Sequence, residues 1–223
     1  MKELYVVGLG PGDPELITVK GMRIISIADV IFVPYSTGTN RSLSYSIIGK
    51  YAKKKAKVIT LGFPMAKKVN EKELEKLGKE MCEKSEKVSV FVTLGDPTLY
   101  STYFRIDKYV SKCFDKIELV PGVSSVTACA SRIKLPLALG EDSILIVPSS
   151  RISLIEEVKD KVESIIVMKG NENLDKISEL LRKEYTLFYA KRCYLEGEKV
   201  IPWDGTFDKD YFSMLIGVKK IER

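Results

Sequence analysis

Histidine is absent from all 223 residues of the chain. Its absence excludes Ser–His–Asp and Cys–His catalysis, zinc sites with histidine ligands, and the one side chain whose ordinary pKa lies near neutrality. Cysteine is scarce, and no two of the four cysteines form a C-x-x-C pair, so the sequence predicts no protein-bound metal. In a cytoplasmic chain, the simplest interpretation of these cysteines is free thiols. They are Cys82, Cys113, Cys129 and Cys193.

Long apolar runs are also missing. No run approaches the roughly 20 residues needed to cross a bilayer, and the apolar residues 24–33 are interrupted by Asp29. The N-terminus runs directly into the apolar residues 4–7 without a signal-peptide pattern. These features predict a soluble, cytoplasmic protein with no membrane partner.

The charge is moderately basic, with a formal net charge of +6. Aromatic residues do not alternate with lysine and arginine in a stacking pattern, so we expect no nucleic-acid partner. The tightest basic cluster is residues 53–55. It is either a solvated helix end or, together with Arg41, a surface that attracts a polyanionic substrate.

Short apolar runs alternate with amphipathic stretches, which predicts an α/β fold. The predicted strands are residues 4–8, 30–34, 57–61, 88–94, 117–120, 144–147, 165–168, 186–190 and 212–218. The predicted helices are residues 18–28, 42–54, 71–83, 101–112, 124–133, 152–161 and 174–183. Turn and loop signals at residues 121–140 favour two α/β domains, 1–121 and 122–223, with a ligand cleft between them. A single sheet of nine or ten strands is the alternative.

The first motif, GLGPGDP at residues 8–14, follows the first predicted strand. Its glycines allow a tight turn and close approach of a ligand. The G-x-G-x-G spacing differs from the dinucleotide fingerprint, and no Gly-Lys-Ser/Thr follows as in a P-loop. Two prolines delay the next helix to about Thr18. Alone, the motif is either a structural turn or a binding loop.

The second motif, TLGDPTLYST at residues 93–102, follows the most strand-like run in the chain. Asp96 is therefore expected at the carboxyl end of a parallel strand, where ligands bind in open α/β sheets. A carboxylate there accepts hydrogen bonds from hydroxyls or an amine. The alternative is an Asp-Pro turn followed by Ser101 or Thr102 as a helix cap.

The third motif, VPGVSSVTACAS at residues 120–131, contains a run of small residues on a predicted helix. Small side chains allow either a second helix or a flat ligand to approach closely. The helix N-terminus also offers N–H groups and a partial positive charge.

Together with VMK at residues 167–169 and YFS at 211–213, these ordered motifs resemble the tetrapyrrole methylase family. Its members use S-adenosylmethionine to methylate intermediates of cobalamin and sirohaem synthesis. The resemblance covers nearly the whole chain and implies two αβα domains, an interdomain cleft that binds the cofactor, and a homodimer. Residues 63–65, the second motif and residues 135–138 are similar to the branch that methylates C-20 of precorrin-2 or cobalt-factor II. General similarity favours cobalt-factor II.

Specific residue roles also follow from the resemblance. S-adenosylmethionine, which leaves as S-adenosylhomocysteine, would contact Gly95, Asp96, Leu99, Ser101, Thr102, Ser124, Ser125, Met168, Arg192 and Cys193. The anionic tetrapyrrole, with or without cobalt, would face Gly10, Pro11, Gly12 and Asp13. The chain departs from the family pattern at residues 196–198, close to Arg192 and Cys193.

The reaction on the tetrapyrrole requires removal of a proton from the methylated carbon, for which Asp13 and its rival Tyr100 are the candidates. Three other functions stay open. A methylase of the same fold would act on another corrin position or, like diphthine synthase, on a modified histidine. A binding module would keep the fold without turnover. A nicotinamide-dependent oxidoreductase is disfavoured by the glycine spacing.

Overall fold

The computed structural model describes residues 1–35, 38–63 and 70–220, without the side chains of residues 38–42. Arg41 (its side chain), Pro64 and Met65 therefore lie outside the described part. The chain divides into two compact units, Met1–Ser124 and Ser125–Arg223. Each unit contains a five-stranded sheet, so the α/β class is confirmed and the alternative of one continuous sheet is wrong.

The first unit is built on an all-parallel sheet with the order β3-β2-β4-β1-β5. Apolar side chains on both faces make the three central strands suitable for burial between helices. Because the strands are parallel, their carboxyl ends lie at one edge. The strands are β1 (Glu3–Gly8), β2 (Val30–Tyr35), β3 (Lys57–Gly62), β4 (Val88–Thr93) and β5 (Lys116–Val120).

Helices cover both faces of this sheet, and the sheet separates two apolar clusters. One cluster contains Phe32 and Phe91, and the other contains Ile31 and Val90, as expected from the alternation of side chains along strands. The helices of the unit are α1 (Val19–Ile27), α2 (Gly38–Tyr51), α3 (Glu71–Lys84) and the single turn α4 (Asp107–Val110).

The second unit has a mixed sheet with the order β6-β7-β10-β8-β9. β6 is parallel to β7, and β10 is antiparallel to both β7 and β8, so β6, β7 and β8 point in the same direction. The strands are β6 (Ile144–Pro148), β7 (Ser164–Met168), β8 (Tyr185–Lys191), β9 (Lys199–Pro202) and β10 (Ser213–Lys219). The helices are α5 (Ser125–Ile133), α6 (Ile152–Val158) and α7 (Leu174–Leu181).

All nine predicted strands are present within one residue of their predicted ends, but two predictions about the elements are wrong. The predicted helix 101–112 is a series of short turns, with Tyr103–Arg105 and Ser111–Cys113 in 3-10 conformation around α4. The ring of buried Tyr103 contacts both Phe91 and Phe104, and this packing overrides helical propensity. β9 was missed because it is a four-residue edge strand that ends in proline.

The prediction of four free thiols is also wrong. The cysteines form two disulfides, Cys82–Cys113 and Cys129–Cys193, each with a Cα–Cα distance of 5.6 Å. The partners are 31 and 64 residues apart in sequence and meet only through tertiary packing. Among the described residues, no helix has both the length and the apolar character required to cross a membrane.

Candidate functional site

The three sequence motifs meet at the carboxyl edge of the first sheet, on the loops that follow β1, β4 and β5. These strands are neighbours, and the backbone continues to pair beyond them. Leu9 N–H donates to the Thr93 carbonyl at 2.8 Å. Gly10 and Gly95 exchange two backbone hydrogen bonds, at 3.3 and 2.7 Å. The loops after β1 and β4 are therefore fastened to each other.

Glycine is required where the three loops approach. A Cβ on Gly8 would lie 2.6 Å from the Gly95 carbonyl oxygen and 2.7 Å from the Gly122 nitrogen, which is closer than real Cβ atoms come to backbone. Gly95 differs, because it has a left-handed backbone (φ +69°) and no atom of the described residues lies within 4 Å of its Cβ position. The loop edge thus combines tight backbone packing between Gly8, Gly95 and Gly122 with open space at the Cβ position of Gly95.

Asp96 links the second and third motifs. Its Oδ2 accepts a hydrogen bond from Gly122 N–H at 3.0 Å, while Oδ1 accepts from the Thr98 N–H and hydroxyl at 2.8 and 2.5 Å. Burial alone raises the pKa of Asp96, but the hydrogen bonds from Thr98 and Gly122 outweigh it, so the pKa lies below its ordinary value. The structure confirms the predicted turn and adds a cross-link that was not predicted.

We expect Asp96→Asn to lower the free energy of unfolding by roughly 2 kcal/mol at neutral pH. The asparagine oxygen still accepts from Thr98, but its NH₂ group faces Gly122 N–H, so two donors oppose each other. Because the folded-state pKa of Asp96 is lowered, its contribution is complete above its ordinary value of 3.8 and disappears as pH falls through the folded-state value. Urea unfolding of both proteins between pH 7 and 3 measures this difference. A difference in unfolding free energy that stays constant across this pH range would contradict a lowered pKa of Asp96 in the folded state.

The end of the second motif has an unusual backbone. Tyr100 has a left-handed backbone (φ +57°), a conformation that non-glycine residues rarely adopt outside functional or tightly held positions. Its side chain is 46% exposed, and partial burial still raises its pKa, so the phenol is neutral at pH 7. Ser101 Oγ accepts from Tyr103 N–H at 3.2 Å, whereas Thr102 makes no side-chain cap bond. Leu99 is half-buried beside them.

The first motif forms a capped turn, and the helix after it begins close to Thr18, as its prolines predicted. Asp13 Oδ1 accepts from Glu15 N–H at 2.9 Å and caps the 3-10 turn Pro14–Leu16. α1 then begins after Thr18, whose hydroxyl accepts from Gly21 N–H and donates to the Pro121 carbonyl. Within this loop Gly10, Pro11 and Gly12 are buried, while Asp13 is half-buried.

The third motif spans the boundary between the units. Ser124 is the last residue of the first unit, and Ser125 begins α5 in the second. Both serines are half-buried, whereas Ala128, Cys129 and Ala130 are buried. The two interpretations of the small residues, helix packing and ligand approach, both remain.

Met168, Arg192 and Cys193 lie at one edge of the second sheet. Met168 ends β7, and Arg192 follows β8, which points in the same direction. Arg192 N–H donates to the Phe212 carbonyl at 2.8 Å, and its Nε forms a 2.6 Å ion pair with Asp210 Oδ2. Asp210 was not predicted, since it is 18 residues away from Arg192 and carries no local motif.

The basic cluster is less available than its sequence indicates. Residues 53–55 form the turn between α2 and β3, and Lys53 Nζ lies 2.7 Å from Asp29 Oδ1 and 3.0 Å from the Ile27 carbonyl. The hydrogen bond from Lys53 is the main cause of the lowered pKa of Asp29. Within the described ranges, no group of three or more Cys, Asp or Glu is placed to hold a metal ion.

Comparison with known proteins identifies relatives that match most or all of the chain. A probable cobalt-precorrin-2 C(20)-methyltransferase of Methanocaldococcus jannaschii is 34% identical over 100% of this chain and 98% of its own. The cobalt-precorrin-2 C(20)-methyltransferase of Salmonella typhimurium is 32% identical over 80% of this chain and 77% of its own. Both relatives are methyltransferases.

Solved structures confirm the fold. The uroporphyrin-III C-methyltransferase of Thermus thermophilus, complexed with S-adenosylhomocysteine, gives a TM-score of 0.72 at 19% identity and covers 97% of each chain. A cobalt precorrin-4 methyltransferase gives 0.71 at 23% identity, covering 97% of this chain and 94% of its own. The family described as tetrapyrrole (corrin/porphyrin) methylases matches residues 3–206. The chain therefore belongs to the tetrapyrrole methylase family, and is an S-adenosylmethionine-dependent methyltransferase.

Proposed function

We propose that this protein transfers a methyl group from S-adenosylmethionine to the C-20 meso carbon of a cobalt-bearing precorrin-2-type tetrapyrrole, in cobalamin biosynthesis. The observation that carries this proposal is the 34% identity, over the full length, to a probable cobalt-precorrin-2 C(20)-methyltransferase. The cobalt-free substrate precorrin-2 is the second candidate. It is less favoured because the precorrin-2 C(20)-methyltransferase of Sinorhizobium is only 25% identical.

The test is incubation with S-adenosylmethionine and either cobalt-precorrin-2 or precorrin-2. Mass spectrometry should show the gain of one methyl group, and NMR should locate it at C-20. Faster turnover of the cobalt-bearing substrate supports the first candidate. Methylation at another carbon, or of neither substrate, would refute the proposal.

We assign cofactor binding to the loop edge of the first unit, at Gly95, Asp96, Leu99, Ser101, Thr102 and Ser124, and to Ser125, Met168, Arg192 and Cys193 of the second. The open space beside Gly95 supports this assignment, because backbone without a side chain lets a flat ligand approach closely. Asp96 keeps the loops after β4 and β5 in register through Gly122. We assign the tetrapyrrole to Gly10, Pro11, Gly12 and Asp13 on the neighbouring loop.

Gly95→Ala should weaken S-adenosylhomocysteine binding about tenfold or more, because the new methyl group would occupy this open space. Gly140→Ala is a matched control, since Gly140 also has positive φ (+57°) and no atom in the described part of the chain within 4 Å of its Cβ position. Both variants should lose roughly 1–2 kcal/mol of folding free energy through left-handed backbone strain. Isothermal titration calorimetry with S-adenosylhomocysteine measures the affinity of each variant separately from its stability. Equal affinities for both variants would place the cofactor elsewhere.

Methyl transfer to the tetrapyrrole depends on how the reactants are positioned more than on specific catalytic side chains. When bound, S-adenosylmethionine supplies a methyl group already activated by the sulfonium. The protein has to hold the acceptor carbon in line and exclude water, and such positioning accounts for roughly 7–11 kcal/mol of barrier lowering. None of these tasks requires histidine.

We assign removal of the C-20 proton to Asp13 Oδ2, since Oδ1 accepts from Glu15 N–H. The raised pKa of Tyr100 favours its phenol as a hydrogen-bond donor rather than a base. Asp13→Asn preserves the cap and should lower kcat by roughly 100-fold or more without changing cofactor affinity. Tyr100→Phe should have the smaller effect on kcat. Unchanged turnover in Asp13→Asn would remove Asp13 from the mechanism.

The proposal includes a homodimer and a cytoplasmic location. Exposed apolar side chains on the edge strand β6, Ile144 and Ile146, together with Leu135 and Leu139, support a second copy as their cover. Light scattering in solution tests the dimer. The domain boundary is proposed at residues 121–124, where the two compact units join.

A further inference from the structure

The disulfide Cys129–Cys193 connects two segments to which the proposed function assigns cofactor contacts. Cys129 is four residues after Ser125, so both lie on the same face of the first turns of α5. Cys193 directly follows Arg192 in the loop after β8. Both cysteines are buried, at 2% and 4% exposure. The bond therefore fixes the middle of α5, one turn after Ser125, to the Arg192 loop.

The backbone of this loop needs such a constraint. Arg192 (φ +50°) and Tyr194 (φ +63°), on either side of Cys193, are both left-handed although neither is glycine. Conformations of this kind persist only where the surrounding structure holds them, and they concentrate at functional sites. A loop in which two of three consecutive residues are strained relaxes when a restraint is removed.

A second attachment to α5 lies close by. Arg132, three residues after Cys129, places its guanidinium 3.8 Å from the centre of the Tyr194 ring and pairs with Glu198 at 3.1 Å. Glu198 also accepts from Tyr194 N–H. These polar contacts are exposed and individually weak. The disulfide is the one covalent restraint among the described contacts between α5 and the loop.

We propose that Cys129–Cys193 is a positioning disulfide that holds the Arg192 loop in the conformation that binds S-adenosylmethionine. This inference rests on the proposed cofactor site. Reduction by a dithiol such as dithiothreitol transfers two electrons and two protons to the cysteines, giving two thiols and the oxidised cyclic disulfide of the reagent. The released loop then relaxes, and cofactor affinity falls while the rest of the unit stays folded.

The other disulfide provides a matched control. Cys82 lies in the last turn of α3, shortly before β4, and Cys113 lies shortly before β5. Both positions are at the amino ends of parallel strands, opposite the edge where the motifs meet. Removing Cys82–Cys113 therefore removes a covalent restraint without releasing a loop assigned to the cofactor.

The experiment compares the double variants C129S/C193S and C82S/C113S with the oxidised wild type. We expect both variants to melt at lower temperature. Only C129S/C193S should bind S-adenosylhomocysteine about tenfold or more weakly, with KM for S-adenosylmethionine raised more than kcat is lowered. Equal affinities in the two variants, both matching the wild type, would overturn the inference.

A second measurement avoids dependence on the folding of C129S/C193S. In C82S/C113S only Cys129–Cys193 can be reduced, so one sample is titrated with S-adenosylhomocysteine before reduction, after reduction and after reoxidation. Affinity should fall and then recover, with thiol titration confirming each state. Affinity that stays constant while two thiols appear would refute the positioning role. Failure of the oxidised wild type to bind S-adenosylhomocysteine would instead refute the proposed cofactor site.

Discussion

Gly122→Ala is expected to destabilise the protein by about 3 kcal/mol and to abolish cofactor binding. The new Cβ would lie 2.8 Å from Gly8 Cα and in direct collision with the Gly95 carbonyl oxygen. These atoms belong to the backbone at the end of β1 and in the loop after β4, so no side-chain rotation relieves the clash. Separating the loops would also break the hydrogen bond between Asp96 and Gly122 N–H. Urea unfolding and calorimetric titration with S-adenosylhomocysteine measure the two effects.

Gly49→Ala is the matched control for this prediction. Gly49 lies in α2, and none of the described atoms comes within 4 Å of its Cβ position, so alanine should stabilise the helix by roughly 0.5–1 kcal/mol. The two substitutions add the same methyl group and differ only in what it meets. If the two variants had the same free energy of unfolding, the three motifs would not approach each other as closely as described.

Much of the fold was predictable because strand signals in this chain are strong and local. The run VSVFVT, which forms β4, is β-branched and apolar on both faces, as a buried parallel strand requires. Parallel strands joined by helices bring their carboxyl ends to one edge, so the position of Asp96 at that edge also follows from sequence. The start of α1 near Thr18 also follows from sequence, because the two preceding prolines delay the helix.

The features that sequence did not reveal depend on contacts between distant residues. Asp96 and Gly122 are 26 residues apart, and Arg192 and Asp210 are 18 residues apart. No local pattern marks either pair. The segment 101–112 has the composition of a helix, but burial of the Tyr103 ring against Phe91 divides it into short turns. In each case tertiary packing decides between local alternatives that the sequence leaves open.

The cysteines show this limit most clearly. Four cysteines allow three fully paired connectivities, and spacing alone distinguishes neither among them nor between them and free thiols. The expectation of free thiols came from the reducing cytoplasm. Intracellular proteins of hyperthermophiles are the known exception, since their disulfides persist inside the cell. In proteins of that class, two disulfides are compatible with the cytoplasmic location proposed here.

Reduction of both disulfides should have the largest effect on stability of any change considered. The bonds close loops of 31 and 64 residues, and in the chain-entropy description each restricts the unfolded chain enough to contribute roughly 3–4 kcal/mol. Residues 82–113 and 129–193 do not overlap, and the bonds lie in different compact units, so their contributions should add. For a chain of this size, each loss lowers the melting temperature by roughly 10 °C. Calorimetry of wild type with and without dithiothreitol should therefore reproduce the sum of the shifts in C82S/C113S and C129S/C193S. Four titratable thiols in protein purified and denatured without reductant would show instead that the bonds do not form.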